Sequence, residues 1–340
     1  MKTLLYFLAI LILHVIIQSC IRNNDPFGVN SNNNNTENGT WIKVESGVTN
    51  LLYDIDFPDN NNGWVVGDSG IILYSENDGE DWKQQTSPTD EILFAVDFID
   101  NKLGWICSRN SILKTSDGGE SWEIKYEQDL GEGRFRDIQF LDRNVGFVVG
   151  GEGSFGSRGV LLKTEDGGET WQDNVPQSLS TLTHISIVDG QNIWICGFGG
   201  TLLSTANIGL TWTKKNLNIT PFPSFTIIQF IDHNHGWVGS RDDYLGFYIT
   251  TDGGKNWMRI SEYSFMIIGG VQSFFFIDNN KGWMCNFPFD RIIITQDGGL
   301  TWKYNSEIRQ RIYSFFFLDN KTGWAVGKYG GILRYSNNNQ

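Results

Sequence analysis

Asp54, Asp97 and Asp137 stand in the opening segments of three successive sequence repeats. Carboxylates gathered at the centre of a fold can divide glycoside hydrolysis between an acid and a base or nucleophile. In the repeat, Asp54 and Asp97 align with one another, and Asp137 is shifted along by a residue. Metal chemistry has fewer candidates. The chain holds 4 histidines, one of them, His14, inside the apolar leader. The pair His233-Asn234-His235 has no third ligand beside it, and structural zinc needs four. Cys107, Cys196 and Cys285 recur at one repeat position in alternate units, too far apart for disulfide geometry, and read as small buried hydrophobes. No metal or cofactor is expected.

The elements that must hold these residues are set by the repeat. The run "TEDGGETW" at 164–171 returns as "TSDGGESW" at 115–122 and "TQDGGLTW" at 295–302. The spacing is that of an Asp-box, carried by Ser75, Thr115, Asp117, Thr164, Asp166, Thr250, Asp252, Thr295 and Asp297, with Asn77 and Asn207 in place of the carboxylate. Each box closes on a tryptophan: Trp82, Trp122, Trp171, Trp212, Trp257 or Trp302. The Asp caps backbone N–H groups of its own turn, the glycines permit positive φ, and the Trp packs between units. A box that keeps its shape with Asn serves architecture, not catalysis. Around it each unit has an alternating apolar segment, a Gly-aromatic segment such as "GWVVG", and a third apolar segment. Short period-two strands between Gly/Asn/Asp turns, repeated every 40–49 residues, predict an all-β, seven-bladed β-propeller of four-stranded antiparallel blades. The last unit lacks an outer strand and the body opens with an orphan one, so residues 40–46 are expected to complete the last blade and close the ring.

Upstream of that body, "MKTLLYFLAILILHVIIQSC" combines Lys2, an apolar run and Ser19-Cys20. It reads as a lipoprotein-type export signal over 1–19, with Cys20 lipidated, an Asn-rich tether over 20–39 and the propeller over 40–340. The expected location is the bacterial cell envelope, anchored by lipid at the outer membrane. A formal net charge of -13 argues against nucleic-acid binding. A monomer is expected.

Loop lengths separate the two faces of the ring. First-to-second turns and Asp-box turns are nearly constant, whereas the opposite face varies, and variable loops on a rigid frame are where binding lives. Its aromatic candidates are Phe222, Phe225, Tyr244, Phe247, Tyr263, Phe265, Phe287 and Phe289, as a platform for a peptide or glycan or as filling for the blade interiors. Arg134, Arg136, Arg241, Arg309 and Arg311 point to the same face, to meet an acidic partner or to neutralise the chain's own carboxylates.

The pattern F-x-D…GW…G…I-x-x-T-x-D-G-G-x-x-W resembles the photosystem II assembly/stability factor family, the Ycf48-like or HCF136-like proteins, and more broadly the BNR/Asp-box repeats. The resemblance covers about 40–340. It implies a seven-bladed propeller that binds partner proteins during membrane-complex assembly through an arginine-rich patch. The lipoprotein-type signal and Asn-rich, acidic composition carry over no photosynthetic role. Sialidases and xyloglucanase-type glycosidases share the Asp-box, but the early "RIP" motif of the first and the second propeller of the other are missing here. The favoured function is a non-catalytic envelope protein-binding or assembly scaffold, and the alternative a carbohydrate-binding or glycosidase-like propeller.

Overall fold

The computed structural model describes residues 39–152, 158–176, 179–215, 217, 222–240, 246–260, 270–286 and 289–337. The expected leader, Cys20 and the tether up to residue 38 lie outside the described residues. Among the described residues, 28 strands fall into seven four-stranded antiparallel sheets. Innermost are β2 (Leu52–Asp56), β6 (Leu93–Phe98), β10 (Arg134–Phe140), β14 (Leu182–Ile187), β18 (Phe225–Phe230), β22 (Val271–Phe276) and β26 (Ile312–Phe317). Outermost, in the same blade order, are β5 (Lys83–Gln85), β9 (Glu123–Glu127), β13 (Gln172–Asp173), β17 (Thr213–Lys215), β21 (Met258–Arg259) and β25 (Lys303–Arg309). Blade 7 takes its outer strand from the other end of the chain: β1 (Thr40–Val44) pairs antiparallel with β28 (Ile332–Ser336), Trp41 opposite Tyr335. The ring closes as the orphan strand requires.

Burial follows strand position. The second strand of blade 1, β3 (Gly63–Gly67), is buried at every residue, because sheets of neighbouring blades cover both its faces. Hence the continuous apolar runs GWVVG, GWICS and IWICG. Outer strands see solvent on one side and are mostly polar.

One three-ring packing unit explains why F-x-D, GW and the Asp-box Trp recur together. Trp64 of blade 1 stacks on Phe98 of blade 2 with centroids 3.7 Å apart, and Trp122 meets Phe98 edge-on at 5.8 Å. Trp105 and Phe140 stack at 3.5 Å with Trp171 edge-on, and Trp237 and Phe276 at 3.8 Å with Trp302 edge-on. At the closure Trp41 takes the Asp-box position, edge-on to Phe317 at 5.7 Å, while Phe317 stacks on Trp283 at 3.9 Å. Each Phe lies flat on the glycine that opens its own second strand, and a Cβ on Gly104 would come within 2.4 Å of the Phe98 ring. Blade 4 shows the compensation: Ile187 replaces the Phe, its partner Ile193 replaces the Gly, and both join Phe147 in one cluster.

The Asp-box is equally local. Thr164 Oγ1 donates to Asp166 Oδ1 (2.8 Å) and accepts from the Gly168 N–H (2.8 Å). Asp166 Oδ1 accepts from the Thr170 N–H (2.9 Å), and its Oδ2 from the Thr170 hydroxyl (2.6 Å). The Thr170 hydroxyl bond, then its N–H, hold the Asp166 carboxyl down at about 2. Asn207 keeps the accepting bonds from Thr205 and the Thr211 N–H through Oδ1, and its Nδ2 donates to Thr211 Oγ1 instead. An amide thus substitutes with one bond reversed.

Candidate functional site

The interior acids come first, because catalysis would need them. Counting by ladder partner, Asp54 faces Val66 and Asp137 faces Val149, whereas Asp97 faces Trp105 and Asp56 faces Trp64. The expected alignment is therefore corrected: Asp54 matches Asp137, and Asp97 matches Asp56. Each carboxylate ties its blade to the next by accepting a backbone N–H. Asp54 takes that of Val96 (3.0 Å), Asp56 that of Phe98 (2.7 Å), Asp97 that of Phe140 (2.9 Å) and Asp137 that of Ile185 (2.7 Å). Gln139, Ser186 and Gln229 do the same for Ile187, Phe230 and Phe276. These acids form an inter-blade belt, each with its Oδ2 committed to holding one blade to the next.

Burial pushes the carboxyls up, to about 6 for Asp54, about 7 for Asp97 and Asp137, and well above the usual range for Asp56. Burial likewise pushes His184 down to about 4, so its Nδ1, 3.6 Å from Asp137 Oδ2, belongs to a neutral ring at pH 7 rather than to an ion pair. A carboxyl that binds its proton more tightly folded than unfolded stabilises fully below its unfolded value near 3.8, and that stability is lost as pH rises through the folded value of about 6 to 7. His184 acts oppositely, losing stability as pH falls from 6.5 to about 4. With four acids against one imidazole, the melting temperature is expected to fall between pH 5 and pH 8, and Asp137→Asn to flatten that slope. Melting curves across the interval check this, and a temperature rising with pH contradicts it.

On the variable-loop side, the innermost strands carry one bulged residue per blade, at the register shifts of their ladders. An extra residue in a strand breaks the alternation and re-aims its side chain. In blades 7, 1 and 2 the bulged residues are Tyr313, Tyr53 and Phe94, whose rings adjoin at 5.4 and 5.5 Å. Blade 3 continues the arc. The Arg134 guanidinium lies 5.1 Å from the Phe94 centroid, and that of bulged Arg136 lies 5.2 Å from Phe198, in a blade 4 turn. Burial, helped by Asp68 beside it, pushes the Tyr53 phenol up to about 12. At the far end Arg311 is clamped by Asp290, Nε to Oδ1 at 3.0 Å. The result is a half-buried arc of aromatic faces and guanidinium groups around the propeller axis.

Among the expected contact residues, Arg134 and Arg136 stand in this arc. Phe222 is 65% exposed and lies against Gly200, and Phe289 is 40% exposed on blade 6. Phe225 and Phe247 correct the expectation. Both begin strands, not loops, and point into blade interiors: Phe225 is edge-on to Tyr248, and Phe247 is edge-on to Trp302. Arg241, Tyr244, Tyr263, Phe265 and Phe287 lie outside the described residues. The sequence reading missed Tyr53, Phe94, Phe198 and Tyr313. Cys107, Cys196 and Cys285 are free and buried, and burial pushes the Cys196 and Cys285 thiols up to about 12. Among the described residues, no cluster of His, Cys, Asp or Glu could hold a metal ion.

Fold and site together define a seven-bladed Asp-box propeller with an aromatic and arginine-lined mouth. The profile of the photosynthesis system II assembly factor YCF48 family matches residues 33–124, 80–151 and 126–257, and the chain belongs to that family. It is 23% identical over 213 residues to the photosystem II assembly lipoprotein Ycf48 of Synechococcus sp. (strain CC9902), spanning 61% of this chain and 60% of that relative. Among solved structures it is similar to YCF48 bound to D1 peptide (TM-score 0.71, 21% identity, 87% of this chain and 96% of that one). It is also similar to YCF48 from Cyanidioschyzon merolae (TM-score 0.71, 20% identity, 88% and 99%).

Proposed function

We propose that this chain is a non-catalytic assembly or docking factor of the bacterial cell envelope, which receives a protein segment at the mouth of its axis. The observation that carries the reading is the arc Tyr313–Tyr53–Phe94–Arg134–Arg136–Phe198. Aromatic faces supply area at low entropic cost, and guanidinium groups supply planar charge for carboxylates. The commitment of Asp54, Asp56, Asp97 and Asp137 to inter-blade bonds supports binding over hydrolysis. A similar propeller solved with a D1 peptide supports a peptide as the ligand class, and a relative named as a lipoprotein supports an anchor at Cys20. Phe222 and Phe289 would widen the contact surface.

Crosslinking capture from membranes of the native host tests this, comparing the native chain with Arg134→Glu/Arg136→Glu. Capture of defined envelope proteins is expected to fall at least about tenfold in the double variant, because each guanidinium lost from a contact centre removes 1 kcal/mol or more. Undiminished capture would move the site elsewhere. Glycan binding is the second reading, favoured by the same aromatic arc. Glycan-dependent depletion of the chain, lost on replacing Tyr53 and Phe94, would support it instead.

A further inference from the structure

The outer rim of the ring divides into two unlike halves. Of the chain's 39 acidic residues, 25 lie between residues 50 and 173, in blades 1 to 3, with only 10 of its 26 basic residues. The same two ladder positions of each outermost strand can be compared around the ring. In blades 5, 6 and 7 they hold Met258–Arg259, Lys303–Tyr304 and Ile42–Lys43, one apolar and one basic residue each. Blade 4 has Thr213–Lys214. Blades 1 to 3 have Lys83–Gln84, Glu123–Ile124 and Gln172–Asp173, with Lys83 paired to Glu76 at 2.6 Å. Among the described residues, neither Lys43 nor Lys303 lies in an ion pair. Their apolar companions are open to solvent: Ile42 is 55%, Met258 51% and Tyr304 41% exposed.

We infer that the rim of blades 5 to 7 rests on an anionic phospholipid surface. Three consecutive blades each present a cation beside an apolar or tyrosyl side chain, the pairing that suits a headgroup region. The acidic half of the ring is then turned away from like charge. Covalent geometry points the same way. The chain enters the propeller at β1, on this rim, and Thr40 follows Cys20 by 20 positions in the sequence, a contour length of at most about 70 Å. A lipid anchor at Cys20 would raise the effective concentration at the bilayer of the blade through which the chain enters. This inference shares the Cys20 anchor with the proposed function, and requires nothing of the axial mouth.

The test uses a chain from Cys20 to Gln340, which retains every described residue, coupled through its Cys20 thiol to a maleimide lipid. Cys107, Cys196 and Cys285 are buried and do not compete. On phosphatidylglycerol vesicles, hydroxyl-radical oxidation of Met258 and Tyr304 is expected to fall at least about fivefold relative to phosphatidylcholine vesicles, while Ile124 on blade 2 reacts equally on both. Lys43→Glu/Arg259→Glu/Lys303→Glu should abolish the protection, because removing three basic contacts lowers partitioning roughly 100-fold. Near-ultraviolet circular dichroism of the triple variant reports whether the tryptophan stacks are intact. With the stacks intact, equal oxidation on both lipids, or protection that survives the triple change, overturns the inference. Protection that arises only when envelope proteins are added assigns the rim to a protein and overturns it too.

Discussion

Trp41→Ala is expected to destabilise the propeller by about 3–5 kcal/mol, the cost of removing a large buried aromatic. Trp41 is 7% exposed and packs against Phe315, Phe317 and Tyr335. Its indole N–H donates to Asn305 of blade 6 at 2.8 Å, so one side chain joins the two ends of the chain and the neighbouring blade. A chain starting at residue 48 should fare worse. It loses five ladder positions from Thr40 to Val44 and leaves β28 as an open edge, a template for aggregation. Thermal melts with light scattering read both effects: a melting point lower by roughly 10 °C for Trp41→Ala, and concentration-dependent association for the truncation. If the truncated chain melts like the full one and stays monomeric, closure by β1 contributes little.

The second large effect is steric. Gly104→Ile should cost about 3 kcal/mol, at the upper end of overpacking, because even a Cβ there meets the Phe98 ring at 2.4 Å. Phe98 cannot retreat, being stacked on Trp64 and braced by Trp122. Adding Phe98→Ile to the first change reproduces the pair Ile187–Ile193 of blade 4 and should return about half of the loss. Denaturant titration of the two single variants and the double variant measures the coupling. Strictly additive losses would mean that the glycine is retained for some reason other than the ring lying on it.

The fold was legible because each blade spells its packing unit in order, and even the closure could be inferred from one unmatched Trp strand. The site was less so, for two physical reasons. The bulge in each innermost strand breaks the alternation, which hides Tyr53, Phe94 and Tyr313 among core-like residues. The acids fall at two different positions, one residue after the bulge for Asp54 and Asp137 and three residues after it for Asp56 and Asp97, so their register is recoverable only by counting back from Phe57, Phe98 and Phe140. Phe225 and Phe247 misled for the opposite reason. They follow Pro and Gly-containing loops, and nothing in the local sequence says that the strand begins on the aromatic itself. Arg134 and Arg136 were found by charge, but their value lies in the rings they cover, which only the ladder brings near.

The central claim, that the axial mouth receives a protein segment, is tested most directly by a photo-crosslinking residue placed at Phe94 and, for comparison, at Leu210 on the Asp-box side, which is 74% exposed. In host membranes the Phe94 position should crosslink to defined segments of one or a few envelope proteins, and Arg134→Glu/Arg136→Glu should abolish those products. The Leu210 position should give none of them. Identical products from both positions, or products at Phe94 indifferent to the two arginines, would contradict the account.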